Sequence, residues 1–201
     1  MTVALIDDDE AVLDSLRMAL ESRNLSVYCF TSAEAFVASL DEKRPRCVVS
    51  DVRMPGWSGI DLQHALKARD AALPLILITG HGDISMAVHA IKEGAFDFIE
   101  KPFDYERLIE SVMKAIEHGA RARTVQDEIA DLTQRVAELT ERQREVMDQV
   151  VQGLSNKEIA YHLGISPRTV ENYRAWVMEK MGATNLADLV RKALLLQSKT
   201  R

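Results

Sequence analysis

The sequence predicts an α/β domain of five βα repeats followed by an all-α domain of four helices that contains a helix-turn-helix. Three observations predict it. Residues 1–118 alternate short β-branched runs with helical stretches of about ten residues, the pattern of βαβ units around a parallel sheet. After Leu139 every start signal is helical, including two hydroxyl residues each followed three positions on by Glu or Gln. A chain of 201 residues, 47% apolar and 28% charged, is long for one small domain and short for three.

Taken in order, the strands are expected at Thr2–Ile6, Ser26–Phe30, Cys47–Ser50, Leu75–Thr79 and Phe96–Ile99. Helices are expected near Ala11–Ser22, Ala33–Leu40, Ile60–Arg69, Ile84–Glu93 and Tyr105–His118, with Gly94 where a left-handed C-terminal cap would fall. Right-handed crossovers put helices on both faces, so the site belongs beyond the carboxyl ends of the strands. From Ala115 to Leu139 the apolar positions Ala115, Ala122, Val125, Ile129, Leu132, Val136 and Leu139 follow a three-four spacing broken only by His118. Such a helix either docks on its own first domain or pairs with a second copy. Without proline or a second apolar stripe, a homodimeric coil over residues 119–139 is the expected linker.

The second domain, residues 140–201, opens with the capping boxes Thr140-Glu-Arg-Gln143 and Ser155-Asn-Lys-Glu158, and Ser166 then precedes Pro167 at a first helical position. Helices are expected at 141–152, 156–163, 167–181 and 185–196, and Gly164-Ile165 supplies the short turn of a helix-turn-helix.

Charge divides along the same lines. Residues 1–120 carry 12 basic and 20 acidic side chains, residues 121–139 carry 3 and 4, and residues 140–201 carry 10 and 7, giving nets of −8, −1 and +3. An acidic first domain suits cation binding, and a mildly basic last one permits a polyanion partner. Cys29 and Cys47 sit inside apolar runs, as small buried hydrophobes in a reducing cytosol do. No leader-like segment precedes the first strand and no stretch reaches the roughly 20 apolar residues of a membrane span, so a cytoplasmic protein without membrane attachment is expected.

The first strand ends in Asp7-Asp8-Asp9 and the third in Asp51, which brings at least three carboxylates to one sheet edge. Clustered carboxylates repel unless a cation neutralises them, and an all-oxygen site with room for water favours magnesium over zinc. Acids after a strand also serve as helix caps and dipole complements, the role expected of Asp9 and Glu10; for Asp7 and Asp8 alone the two readings balance. The fourth strand ends in Thr79-Gly80 and the fifth is followed by Lys101-Pro102, so a hydroxyl and an ammonium converge on the same edge. A phosphoryl group on Asp51 needs this set, with cations to neutralise its oxygens and a hydroxyl to donate to them.

These residues carry a resemblance. Ile-Asp-Asp-Asp, Ser-Asp-Val-Arg-Met-Pro-Gly, Ile-Thr-Gly-His-Gly-Asp and Ile-Glu-Lys-Pro-Phe resemble the receiver of a two-component response regulator across residues 1–118. The resemblance implies a flavodoxin-like (βα)5 fold with sheet order 2-1-3-4-5. It also implies Asp51 as phosphoacceptor, Mg2+ or Mn2+ held by Asp7, Asp8, Asp51 and the Arg53 carbonyl, and Thr79 and Lys101 on the phosphoryl group. Lys101-Pro102 is then a cis peptide and Phe98 the aromatic switch residue, moving inward behind Thr79 and reshaping the face of the fourth helix and fifth strand, although core packing alone also suits Phe98. Having phenylalanine there excludes a switch through a phenolic hydrogen bond. His81 and Asp83 read as loop residues beside the site.

Residues 139–197 resemble the LuxR-type helix-turn-helix of the FixJ/NarL family, nearest its FixJ branch, through Leu-Thr-Glu-Arg-Gln-Arg-Glu-Val-Met, Gly-Leu-Ser-Asn-Lys-Glu-Ile-Ala and Gly-Ile-Ser-Pro-Arg-Thr-Val-Glu-Asn-Tyr-Arg. On the helix from Pro167, Val170, Val177 and Met181 share an inward face, leaving Arg168, Glu171, Asn172, Arg174 and Ala175 outward. Glu171 is suited to cytosine and Asn172 to adenine, Arg168 and Arg174 to guanine or phosphate, and Asn156, Lys157 and Thr169 to phosphate. An acid near DNA is costly unless paired, so Glu171 alternatively lies on a solvated face. The implied partners are a sensor histidine kinase, promoter DNA, RNA polymerase and a second copy on phosphorylation, with activation of transcription favoured.

Two other readings compete. Asp7-Asp8-Asp9 has the Asp-x-Asp spacing of haloacid-dehalogenase-type phosphohydrolases, but those place Thr or Val two positions after the second Asp, where this chain has Ala11, and residues 140–201 would go unexplained. A DNA-binding regulator that is never phosphorylated would not need every pocket position filled. The expectation is therefore a regulator rather than an enzyme, with at most intrinsic autophosphorylation and autodephosphorylation.

Overall fold

The computed structural model describes residues 1–69, 72–80 and 84–197. His81 and Asp83 of the sequence analysis lie outside the described residues. The chain forms two units, Met1–Arg123 and Thr124–Arg201.

In the first unit, β1 (Thr2–Ile6), β2 (Ser26–Phe30), β3 (Cys47–Asp51), β4 (Leu75–Thr79) and β5 (Asp97–Glu100) form a parallel sheet in the order β2-β1-β3-β4-β5, as expected. Connecting helices are α1 (Glu10–Glu21), α2 (Ala33–Lys43), α3 (Gly59–Arg69) and α4 (Ile84–Lys92), and α5 (Tyr105–Ala137) follows β5. The central strands β3 and β4 are buried at every residue, including Ser50, Asp51 and Thr79, as the middle of a doubly covered parallel sheet must be. One face packs Leu13, Leu16 and Leu20 of α1 with Leu108, Val112 and Ile116 of α5. The other packs Phe36 and Leu40 of α2, Leu62 and Leu66 of α3 and Ala90 of α4. Gly94 has φ +103° and closes α4, with the Ala95 N–H returning to the Ala90 carbonyl.

The second unit contains α6 (Glu141–Val151), α7 (Asn156–Leu163), α8 (Pro167–Lys180) and α9 (Leu186–Gln197). Both capping boxes form as their sequences require: Thr140 with Gln143, and Ser155 with Glu158. Ser166 caps α8, and Gly164, in the left-handed region at φ +64°, turns the chain between α7 and α8. Val146, Val150, Ile159, Val170, Val177, Met181 and Leu189 form the core.

Two expectations are corrected here. The fifth helix does not stop at His118 but continues to Ala137, and Gly119 is kept within it at a close approach where a Cβ would stand 2.9 Å from the Ala72 carbonyl oxygen. The expected pairing seam is also shorter than its spacing suggests. Leu132, Val136 and Leu139 join the helical unit's own core, where Arg135 and Lys180 tie the end of α5 to α8 through Lys180 and Glu138 carbonyls. Ala115 is buried in the first unit, and of the remaining positions Ala122 and Ile129 are half-buried and Val125 is exposed.

Candidate functional site

The carboxyl ends of β1, β3, β4 and β5 bring Asp7, Asp51, Thr79 and Lys101 of the expected set together. Asp7 leaves β1 with its N–H donating to the Phe30 carbonyl at 3.2 Å, and its Oδ1 accepts the Asp9 N–H at 3.0 Å. Asp9 turns away to cap α1, accepting the Ala11 N–H at 2.9 Å, and Glu10 lies in the first turn, so these two acids serve the helix. Asp51 ends β3, and its Oδ2 accepts the Arg53 N–H at 2.6 Å.

Lys101 joins the two acids. Its Nζ donates to Asp51 Oδ1 at 2.8 Å and to Asp7 Oδ2 at 3.0 Å. The register of β4 and β5 makes this possible, since Thr79 lies opposite Glu100 and the Lys101 N–H donates to the Thr79 carbonyl at 2.7 Å. Thr79, 1% exposed, and Lys101 are thereby fixed to each other by main chain. The Lys101-Pro102 peptide is cis. Asp8 is exposed, and Phe98 is half-buried against the cluster that includes Leu77 and Ala90.

One ammonium for two buried carboxylates leaves excess negative charge. Burial pushes the Asp7 carboxyl above the ordinary aspartate value, beyond what the Asp9 N–H and Lys101 restore. Burial would lower the Lys101 pKa, but hydrogen bonds to Asp51 and Asp7 outweigh it and raise it, so the side chain stays cationic. Among the described residues no three Asp, Glu, His or Cys side chains are gathered to hold a metal by themselves. The donor set nevertheless fits a hard cation that keeps several waters and takes only one or two carboxylates directly.

Sequence reasoning missed two supports of the pocket. Glu34 of α2 accepts the Trp57 N–H at 2.9 Å and lies against Gly56, anchoring the loop after β3. Gly59, at the start of α3, is packed so closely that a Cβ would stand 2.5 Å from the Asp51 carbonyl oxygen and 2.9 Å from Leu77 Cδ2. Neither has a local sequence signal, because both act across the fold.

In the helical unit Val170, Val177 and Met181 are buried, while Arg168, Glu171, Asn172 and Ala175 are exposed on α8 and Lys157 is exposed on α7. Glu171 pairs with Arg168 at 3.0 Å, and Thr169 is held by Ser166, whose hydroxyl lies 2.8 Å from its own. Arg174 departs from the expected outward set. It is half-buried, and its guanidinium donates to Asn156 Oδ1 at 2.8 Å, because its place on the wheel flanks the buried stripe.

Comparison with known proteins matches residues 3–113 to the response regulator receiver domain and residues 137–193 to the bacterial regulatory proteins of the luxR family. The chain is 49% identical to the transcriptional regulatory protein FixJ of Azorhizobium caulinodans, over 97% of this chain and 92% of that one. It is 40% identical to the response regulator protein TodT of Pseudomonas putida, over 94% and 83%. Among solved structures, response regulator StyR superposes with a TM-score of 0.79 at 38% identity, covering 96% of this chain and 97% of that one. Full-length FixJ from B. japonicum gives 0.60 at 45%, covering 98% and 97%.

Proposed function

Because this chain belongs to the response regulators, joining a receiver domain to a LuxR-type DNA-binding domain in a FixJ-like regulator of transcription, we propose that Asp51 is its phosphoacceptor and that α7 and α8 read promoter DNA. The observation that carries the first assignment is the bridge of Lys101 Nζ between Asp51 and Asp7. In the transfer an Asp51 carboxylate oxygen bonds to phosphorus as the bond to the donor, a kinase histidine nitrogen, breaks. Lys101 neutralises an equatorial oxygen, and the Thr79 hydroxyl donates to another. Receiver domains use Mg2+, for which Asp7, Asp8, Asp51 and the Arg53 carbonyl are the proposed ligands, with Mn2+ an equivalent; the ion supplies further charge neutralisation when bound. Self-phosphorylation and dephosphorylation would be the chain's only chemistry.

Asp7 gives this proposal a pH signature. Its carboxyl, raised by burial, favours the protonated form in the fold, so its contribution to stability is present below the ordinary aspartate value and lost as pH rises through the raised one. Cation binding has the opposite sense, needing the carboxylate. Mg2+ affinity measured by calorimetry should therefore weaken on acidification while an ordinary aspartate would still be ionised; retained affinity down to pH about 4 would count against Asp7 as a ligand.

For dimerisation we propose the face of α4, where Ile84, Val88 and Ile91 are 82%, 47% and 46% exposed in one helical stripe above Ala90 and half-buried Phe98. Thr79 and Phe98 would transmit the phosphoryl signal to it, and the short Val125–Ile129 stretch would add little pairing. Val88→Asp should still take up phosphoryl from acetyl phosphate but weaken the phosphorylated dimer at least about tenfold by sedimentation, the effect of about 1.4 kcal/mol. An undiminished dimer would move the interface elsewhere.

On α8, Arg168, Glu171, Asn172 and Ala175 are the proposed base-facing set, with Lys157 and Thr169 on phosphate. The Arg168 pair offsets the acid of Glu171. A kinase and RNA polymerase are the further proposed partners, in the cytoplasm; no helix among the described residues is long and apolar enough to cross a membrane. The test of the whole is to incubate the protein with magnesium and acetyl phosphate, then compare its mass in solution and its affinity for promoter DNA with the untreated chain. No change in either would reject the phosphoswitch.

A further inference from the structure

Arg174 lies about 40° from the middle of the stripe formed by Val170, Val177 and Met181, on a wheel of 3.6 residues per turn. The base-facing residues Arg168, Asn172 and Ala175 are on the other side of the helix. Arg174 lines the same small cavity as Val146, Val150 and Val177, and its guanidinium reaches the first turn of α7, where Asn156 accepts from one nitrogen at 2.8 Å. Lys157 is exposed next to Asn156, and the α7 start adds the partial positive charge of a helix N-terminus.

Resting on the DNA-binding reading above, we propose that Arg174 contacts the DNA backbone rather than a base, and that Asn156 is its positioning residue rather than a phosphate contact in its own right. A guanidinium has five N–H donors in one plane. The Asn156 amide oxygen fixes that plane by taking one of them, and the others remain to meet phosphate oxygens as a fork. Holding a long side chain in its binding conformation beforehand removes an ordering cost that DNA would otherwise meet. The cation serves every sequence alike, whereas the outward face of α8 discriminates.

The experiment uses the full chain, phosphorylated with acetyl phosphate, and two duplexes of equal length: one selected from a random pool by the wild-type protein, and one of unrelated sequence. Arg174→Ala should weaken binding to both by a similar factor of about ten and lower the slope of log affinity against log salt by about one. Asn156→Ala should weaken both severalfold when Arg174 is present and have no further effect in the Arg174→Ala background, the non-additivity expected of one residue acting through another. Thermal melts verify that each variant is folded, and Asn156→Ser replaces the alanine if it is not. Selective loss on the chosen duplex for Arg174→Ala would make Arg174 a base reader and overturn the proposal. Additive losses would show that Asn156 meets DNA directly and overturn its positioning role. A wild-type protein that binds neither duplex would instead reject the DNA-binding reading itself.

Discussion

Asp51→Asn should fold like the wild type yet take up no phosphoryl group from acetyl phosphate, and should fail to dimerise or tighten on DNA after that treatment. The substitution keeps the side chain's shape and an oxygen that can still accept from Lys101 or from the Arg53 N–H, the two partners of the Asp51 carboxylate among the described residues. What disappears is the nucleophilic carboxylate and one of the negative charges that make the pocket attractive to a divalent ion. Phosphorylated mass, read by intact-protein mass spectrometry, should thus fall to background while the melting curve stays close to the parent's. Uptake at a wild-type rate would transfer the acceptor role to another residue, and normal acetyl-phosphate-induced dimerisation would sink the switch.

The second large effect is expected from a residue with no reactive group. Gly59→Ala adds a methyl where the nearest atoms are the Asp51 carbonyl oxygen at 2.5 Å, Leu77 Cδ2 at 2.9 Å and the Val52 Cα at 3.1 Å. Two of these are main chain, which gives way only by displacing the end of β3. Overpacking of this kind costs about 1–3 kcal/mol, and the displaced segment is the one that aims Asp51. Gly59→Ala should therefore lower the denaturation midpoint of the receiver and slow phosphorylation more than tenfold, whereas Gly80→Ala, where a Cβ meets nothing within 4 Å, should leave both nearly unchanged. A Gly59→Ala protein with wild-type stability and uptake would show that α3 can slide away without moving Asp51.

Much of this architecture is legible in the sequence because local patterns encode it. The strand runs, the capping boxes and Gly164 each act over a few residues, and the strand ends converge once the sheet is parallel, so Asp7, Asp51, Thr79 and Lys101 could be gathered in advance. What stayed hidden depends on which surfaces meet. The spacing of Leu132, Val136 and Leu139 describes an apolar stripe but not its partner, and their own helical unit takes them before a second chain can. Arg174 carries a charge that argues for solvent, yet its place on the wheel brings it beside Asn156. Glu34 and Gly59 support the pocket from α2 and the start of α3, where ordinary surface and helix-start residues would look the same.

The local caps Thr140, Ser155 and Ser166 also bear on how the molecule reaches its native state. The starts of α6, α7 and α8 are each specified within four residues, so little loop-closure entropy stands between the unfolded chain and these helical turns. The receiver has the opposite problem: β1 must pair with β3 across the whole of α1, β2 and α2 before its sheet has a centre, and such non-local contacts are slow to form. Synthesis from the N-terminus gives the slow-folding unit its head start, so that the sheet is under construction before the fast helices and their DNA-facing surface emerge.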